Sequence, residues 1–174
     1  MASSVAPDAI QLVSHSAQET QTMGEAIGRA AQAGLVIALQ GELGAGKTTL
    51  TQGIGRGLGV TVRMTSPTFT LVNEYDGMAV RLIHMDSYRL GENHTDAVAQ
   101  AETFGVDELL DAPETVVVIE WADRLAELLP DDTLFVQLAY CPHELECRTL
   151  SVAGRGARPR AVVAALLPFL PAQD

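Results

Sequence analysis

Lysine occurs only once in this sequence, at position 47, among 11 basic residues. Acidic residues number 22, and the formal net charge is −11. Proteins that bind nucleic acid directly neutralise its phosphates with clustered Lys and Arg. The charge balance therefore argues against DNA binding, and a role in an RNA pathway would require a protein partner to hold the RNA.

Cysteines and long apolar runs are scarce too. Cys141 and Cys147 lack C-x-x-C spacing, so we expect free thiols rather than a disulfide framework or a zinc site. No apolar run approaches the roughly 20 residues that span a bilayer, and residues 1–7 lack the basic and apolar segments of a secretory signal. We therefore expect a cytoplasmic protein that does not enter the membrane.

The order of apolar runs and turn signals favours one α/β domain over residues 1–174, with flexible ends at 1–13 and 171–174. An S-x-x-E capping box at Ser16 starts the first predicted helix. The sequence predicts a mostly parallel central sheet with helices on both faces. The predicted helices cover 16–33, a stretch around Leu50 to Leu58, 95–104, 106–110 and 158–167, and the predicted strands cover 35–39, 60–64, 68–75, 78–85, 116–119, 134–140 and 146–152.

One pair of strands departs from the alternating α/β order. The runs 68–75 and 78–85 flank Asp76-Gly77, and a short Asp-Gly connection is typical of a β-hairpin. The sequence therefore predicts an antiparallel hairpin inserted between the predicted helix around Leu50 to Leu58 and the next strand end that carries an acidic residue.

The most specific motif is the stretch from Gly41 to Thr48, GELGAGKT, which fits the phosphate-binding pattern G-x-x-x-x-G-K-[ST] at every fixed position. It follows the predicted strand 35–39 and precedes a predicted helix, which is the context that the motif requires. Its glycines allow backbone N–H groups to face phosphate oxygens, and the helix adds its positive end. Lys47 is expected to contact the β- and γ-phosphates and Thr48 to bind Mg²⁺.

Two carboxylates end later strands. Asp86 follows an apolar run in HMD, and Glu120 follows VVVI. Because ligands of α/β sheets bind at the carboxyl ends of the strands, both are candidates for holding Mg²⁺ or orienting the attacking water, in roles that the pattern leaves open. Thr68, on a loop before the hairpin, could sense the γ-phosphate, and Trp121 could cover the nucleotide. His84 lies on the same strand face as Asp86, which suggests packing or a weak contact with the site.

The segments GELGAGKTTL, SPTFTLVNEY, HMDSYRL and VVVIEWADRL together resemble the TsaE (YjeE) family of bacterial ATPases. The resemblance implies a single-domain P-loop NTPase fold with inserted antiparallel strands. It also implies slow, Mg²⁺-dependent ATP hydrolysis together with TsaB and TsaD, in the pathway that makes threonylcarbamoyladenosine at position 37 of tRNA. The tRNA would be met only through that complex.

Residue roles follow from the same resemblance. It implies Lys47, Asp86 and Glu120 as catalytic residues and Thr48, Asp86 and Glu120 as metal ligands. The nucleotide contacts that it implies are Gly41, Glu42, Leu43, Gly44, Ala45, Gly46, Lys47, Thr48, Thr49, Thr68 and Trp121.

Two other functions fit the P-loop. In a small-molecule kinase, Asp86 and Arg89 would bind the acceptor hydroxyl, although no Arg-rich lid segment follows Glu120. A nucleotide-dependent binding module would show no useful turnover. Among purine nucleotides ATP is preferred, because the guanine-reading N-K-x-D motif needs a lysine and Lys47 is already assigned to the phosphates.

Overall fold

Seven strands form one mixed sheet in the computed structural model, which describes residues 8–67 and 69–171. The strand order is β1-β7-β6-β2-β5-β4-β3, in which β6, β2, β5 and β4 run parallel and the outer pairings are antiparallel. The prediction of a parallel centre with an antiparallel hairpin holds for β6, β2, β5, β4 and β3, whereas the antiparallel pairings of β7 with β6 and β1 at the other edge were not predicted. The strands are β1 (Ile10–Ser14), β2 (Val36–Gln40), β3 (Val72–Asp76), β4 (Arg81–Asp86), β5 (Thr115–Glu120), β6 (Leu134–Cys141) and β7 (Glu144–Gly154).

Helices cover both faces of the sheet, as predicted. The first face packs against α1, α2 and α5, and the second against α3, α4 and a 3₁₀ helix at Ala122–Leu128. In the described residues, none of the helices is long and apolar enough to cross a membrane. The α-helices are α1 (Ala17–Ala30), α2 (Lys47–Gly57), α3 (His94–Thr103), α4 (Val106–Leu110) and α5 (Ala157–Leu166), and a second short 3₁₀ helix covers Leu167–Phe169.

The predicted hairpin at Asp76-Gly77 is confirmed, since β3 pairs antiparallel with β4. The predicted strand 60–64 is wrong: this segment buries Val60 and Met64 against the core as a loop and joins no strand. The flexible end predicted for 1–13 is also wrong from Ile10 onward, because β1 pairs with β7 from Ile10 opposite Val152. That partner lies far away in sequence, so local patterns gave no sign of it. Residues 1–7 and 172–174 lie outside the described residues.

The two cysteines form a disulfide, which corrects the expectation of free thiols. Cys141 ends β6 and Cys147 lies in β7, and these strands are joined by a tight turn. Spacing rules for cysteines describe linear motifs, whereas the strand pairing brings these two side chains together.

Glycines allow α1 and α2 to pack at unusually close range. A Cβ on Gly24 would lie 2.4 Å from the Leu50 carbonyl oxygen, and one on Gly53 would lie 2.2 Å from the carbonyl oxygen of Gln21. Gly28 and Gly57 make equally close approaches. The glycines that weaken the intrinsic helix propensity of α2 therefore fix its position against α1, and with it the position of the loop before α2.

Candidate functional site

The loop between β2 and α2 is shaped to receive an anion. Gly44 and Gly46 have φ values of +76° and +103°, a region that favours glycine. Gly46 is the N-cap of α2, no side chain caps the helix, and its first turn contains no acidic residue. The free N–H groups and the positive end of the helix dipole therefore face the loop without an internal partner, which is the arrangement that binds phosphate groups.

Lys47 begins α2 and folds back over this loop. Its Nζ donates hydrogen bonds to the carbonyl oxygens of Gly41 at 2.6 Å and Glu42 at 2.9 Å. It also lies 3.9 Å from the centroid of the Trp121 ring. Burial lowers the pKa of Lys47, and the carboxylates of Glu120, Asp86 and Asp123 oppose that shift. A bound anion would compensate the buried ammonium further, so the site favours a negatively charged ligand.

Asp86 and Glu120 meet at the carboxyl ends of β4 and β5, where they are direct neighbours in the parallel register. Both are buried. The Thr48 hydroxyl donates to both carboxylate oxygens of Glu120, at 2.9 and 3.1 Å. The hydroxyl and both carboxylates line one cleft at the start of α2, and oxygen donors of this kind suit Mg²⁺.

Asp86 is held in place by its neighbours. Its Oδ1 accepts a hydrogen bond from the Tyr88 N–H at 3.0 Å, and its Oδ2 accepts one from the Ser66 hydroxyl at 3.3 Å. Ser66 thus connects the loop before the hairpin to the site. Thr68, which was predicted to sense the γ-phosphate, lies outside the described residues.

His84 is a candidate site residue to which the sequence analysis gave little weight. It is 1% exposed, and its Nε2 lies 2.8 Å from Glu120 Oε1. The ring therefore contacts the same carboxylate oxygen to which Thr48 donates at 2.9 Å, so the two side chains together orient Glu120. Its alternation with Asp86 along β4 was the available signal, but the pairing with Glu120 depends on the neighbouring strand.

Trp121 closes one side of the site. It adopts a left-handed backbone conformation with φ +60°, which turns the chain sharply after β5. The Ser87 hydroxyl lies within hydrogen-bond distance of the carbonyls of Glu120 and Trp121, at 2.9 and 2.7 Å. The Tyr88 ring lies 4.9 Å from the Trp121 ring, so the ring that faces Lys47 packs against a second aromatic side chain. Tyr88 follows Asp86 by two residues and was not predicted.

These groups line one cleft of about 310 Å³. Gly41 and Glu42 contribute the carbonyls that accept hydrogen bonds from Lys47, and Ala45 is the fully buried residue of the loop. The cleft is lined by Leu43, Gly44, Gly46, Lys47, Thr48, Thr49, Ser66, Asp86, Tyr88, Glu120 and Trp121.

A larger depression of about 580 Å³ lies beside the β3–β4 turn. Its lining includes Arg81 and Thr115, which begin β4 and β5. It therefore lies at the amino ends of the parallel strands, opposite the end where ligands of α/β sheets bind. We place the candidate site in the smaller cleft for that reason.

Arg89, the proposed partner of Asp86 in a kinase, does not line the cleft. Its guanidinium lies 4.7 Å from the centroid of the exposed Phe69 ring. The structure thus brings Lys47, Thr48, Asp86 and Glu120 together and directs Arg89 elsewhere.

Comparison with known protein families shows to which family this chain belongs. The model of the family described as "Threonylcarbamoyl adenosine biosynthesis protein TsaE" matches residues 14–149. The chain belongs to the TsaE family. The match includes the glycine-rich loop, both carboxylates and Trp121, so the TsaE resemblance of the four segments is confirmed.

Individual TsaE proteins agree with this assignment. The protein from Treponema pallidum is 42% identical over 131 residues, which cover 74% of this chain and 90% of that protein. The protein from Streptomyces coelicolor is 36% identical over 140 residues, covering 78% and 90%. Both carry the name tRNA threonylcarbamoyladenosine biosynthesis protein TsaE.

A solved structure shares the TsaE fold of this chain. The crystal structure of Bacillus subtilis YdiB superimposes with a TM-score of 0.74 at 29% identity, covering 91% of this chain and 94% of YdiB. The overall fold of most of this chain therefore has a counterpart in an experimental structure.

Proposed function

We propose that this protein is a P-loop ATPase that binds MgATP and hydrolyses it slowly, acting with TsaB and TsaD in tRNA threonylcarbamoyladenosine biosynthesis. The observation that carries the proposal is the convergence of Lys47, Thr48, Asp86 and Glu120 at the uncapped start of α2. The pathway comes from the names of the family and its relatives. Since tRNA modification of this kind takes place in the cytoplasm, the proposal includes a cytoplasmic location.

The residues fit a nucleotide and Mg²⁺ by their chemistry. The free amides of α2 would bind phosphate oxygens, and the Lys47 ammonium would leave the two carbonyls that it now contacts to neutralise the β- and γ-phosphates. Thr48, Glu120 and Asp86 would hold Mg²⁺, which neutralises charge on the transferred phosphoryl group.

The contacts of the two carboxylates favour different roles for Glu120 and Asp86. Glu120 shares its oxygens with Thr48 and His84, so it belongs on the metal side of the cleft. Asp86 is fixed by Ser66 and by the backbone next to Tyr88, which aims it into the cleft from β4. A carboxylate in that position would orient the attacking water.

The lone tryptophan gives a direct assay of binding. Because Lys47 Nζ lies over the Trp121 ring, movement of the ammonium onto phosphate should change Trp121 fluorescence. Titration with ATP should give a saturable change that GTP reproduces poorly. No change, together with no binding by calorimetry, would contradict the proposal.

Partner dependence is tested by measuring phosphate release by the protein alone and after addition of TsaB, TsaD and tRNA. We expect low turnover alone and strong stimulation by the partners. Arg89→Ala is the matched control: an ATPase should keep its turnover in this variant, because Arg89 does not line the cleft. Transfer of phosphate to a small acceptor, with loss of that activity in Arg89→Ala, would contradict the proposed ATPase and favour a small-molecule kinase.

A further inference from the structure

The tip of the β6–β7 hairpin supports the glycine-rich loop through two side chains. The Tyr140 hydroxyl donates to the Leu43 carbonyl at 2.7 Å, and Arg148 Nη2 donates to the Gly44 carbonyl at 3.3 Å. The Arg148 guanidinium also lies 4.3 Å from the centroid of the Tyr140 ring, so the two supports hold each other. Because a peptide unit is planar, fixing its carbonyl also fixes the direction of the N–H on its other side.

The Cys141–Cys147 disulfide lies next to both supports in sequence. Cys141 follows Tyr140, and Cys147 precedes Arg148. The strand register shifts at this point: Tyr140 pairs with Arg148, but Cys141 pairs with Glu144. The covalent bond therefore closes the irregular end of the hairpin, where the regular ladder no longer holds the two strands in line.

We propose that the Cys141–Cys147 pair is a reversible redox-modification site, and that its state sets how firmly the glycine-rich loop binds phosphate. Disulfides in reducing compartments are usually transient and serve catalysis or redox sensing, so a disulfide beside a phosphate-binding loop is placed for control rather than for bulk stability. The reducing compartment and the effect on phosphate rest on the proposed function, whereas the contacts between the hairpin and the loop do not.

The reactant is a dithiol reductant, and the exchange balances without another oxidant. Its thiolate attacks Sγ of Cys141, which is the less buried of the two cysteines, and Cys147 leaves as a thiolate that takes up a proton. The second thiol of the reductant then displaces Cys141 and closes the reductant's own disulfide. Two electrons and two protons pass to the hairpin. A ring nitrogen of His15 and a carboxylate oxygen of Glu144 lie within 4.8 Å of Cys147 Sγ, and the imidazole is placed to assist the departing thiolate.

The test compares oxidised and reduced wild-type protein with the double variant Cys141→Ser, Cys147→Ser. Alkylation and mass spectrometry count the free thiols, hydrogen exchange follows the amides of residues 43–47, and Trp121 fluorescence gives the ATP affinity. We expect faster exchange at 43–47 after reduction and an ATP affinity about fivefold weaker, at the lower end of couplings between sites. The double variant should match the reduced protein and should not respond to dithiothreitol.

Tyr140→Phe provides a second variant, because it removes one support and leaves the disulfide in place. We expect it to reproduce part of the faster exchange at 43–47, with circular dichroism confirming an intact fold. Two free thiols after oxidation, or equal exchange in both redox states, would overturn the inference. Absence of ATP binding in both states would instead refute the nucleotide site, and the exchange data would still decide whether the hairpin controls the loop.

Discussion

The amino ends of α1 and α2 lie in neighbouring, tightly packed helices, yet they are built in opposite ways. At α1 the Ser16 hydroxyl accepts a hydrogen bond from the Glu19 N–H, and Glu19 places a negative charge in the first turn. At α2 the N-cap is Gly46, no side chain caps the helix, and Lys47 occupies the first position.

A side chain thus satisfies one of the first backbone N–H groups of α1, whereas no side chain caps α2, where we propose that a ligand binds. An exposed helix start is stabilised by a capping side chain and a nearby acid. The same devices at α2 would occupy the amides and repel phosphate. Four substitutions at the two helix starts and their neighbours test whether the start of α1 serves stability and the start of α2 serves ligand binding.

The largest effect is expected for Glu120→Gln, which removes a carboxylate beside Thr48 with little change of shape. We expect Mg²⁺-dependent ATP hydrolysis to fall by about a hundredfold or more, since this charge would no longer stabilise the metal and the developing transition state. ATP binding without Mg²⁺ should be retained. Glu19→Gln, at the capped helix, is the control and should leave hydrolysis unchanged. Wild-type hydrolysis by Glu120→Gln would remove Glu120 from the site.

Lys47→Ala should weaken ATP binding by about tenfold to over a hundredfold, because charge-assisted hydrogen bonds contribute about 1.5–3 kcal/mol each. The measurement is a fluorescence or calorimetric titration. The fold should survive, as judged by circular dichroism, because burial disfavours the Lys47 ammonium and lowers its pKa. The buried carboxylates of Asp86 and Glu120 keep their hydrogen bonds to other side chains in this variant. Lys47→Arg should not restore affinity, because a planar guanidinium does not replace a compact ammonium here. Unchanged ATP binding in Lys47→Ala would refute the P-loop assignment.

His84→Ala should weaken Mg²⁺ binding and raise the Mg²⁺ concentration needed for hydrolysis by about tenfold, in line with the effect of groups that orient metal ligands. The physical reason is that Glu120 loses the ring nitrogen 2.8 Å from Oε1. The readout is the Mg²⁺ concentration for half-maximal hydrolysis, with partial rescue expected in His84→Gln. His94→Ala is the control, because His94 is exposed and pairs only with Glu127 among the contacts described. An unaltered Mg²⁺ requirement would show that His84 serves only packing.

The smallest effect is expected at the capped helix. Ser16→Ala should lower the free energy of unfolding by about 1 kcal/mol, as is usual when an N-cap side chain is lost. Urea unfolding measures this change. ATP affinity should stay at the wild-type value, and a clear loss of affinity would mean that the two helix starts do not have separate functions.

Local sequence patterns predicted those features that depend on residues adjacent in the sequence. The Gly41 to Thr48 motif carries its own backbone freedom, its lysine and its hydroxyl, and its strand and helix were correctly expected around it. The Asp76-Gly77 hairpin and the Ser16 cap also depend on a few adjacent residues. Asp86 and Glu120 were found because strand ends are recognisable from apolar runs.

The remainder required partners that are distant in sequence. The pairing of Ile10–Ser14 with β7, the Cys141–Cys147 disulfide and the buried contact of His84 with Glu120 each join segments that no local pattern connects. The glycines of α2 illustrate the same point, since they lower helix propensity locally but permit close packing against α1. The sequence by itself thus determined the glycine-rich loop and the functional groups that it carries, because those depend on backbone freedom and residue type. The tertiary structure alone decided which side chains surround that loop, because strand register and helix packing set distances between remote residues.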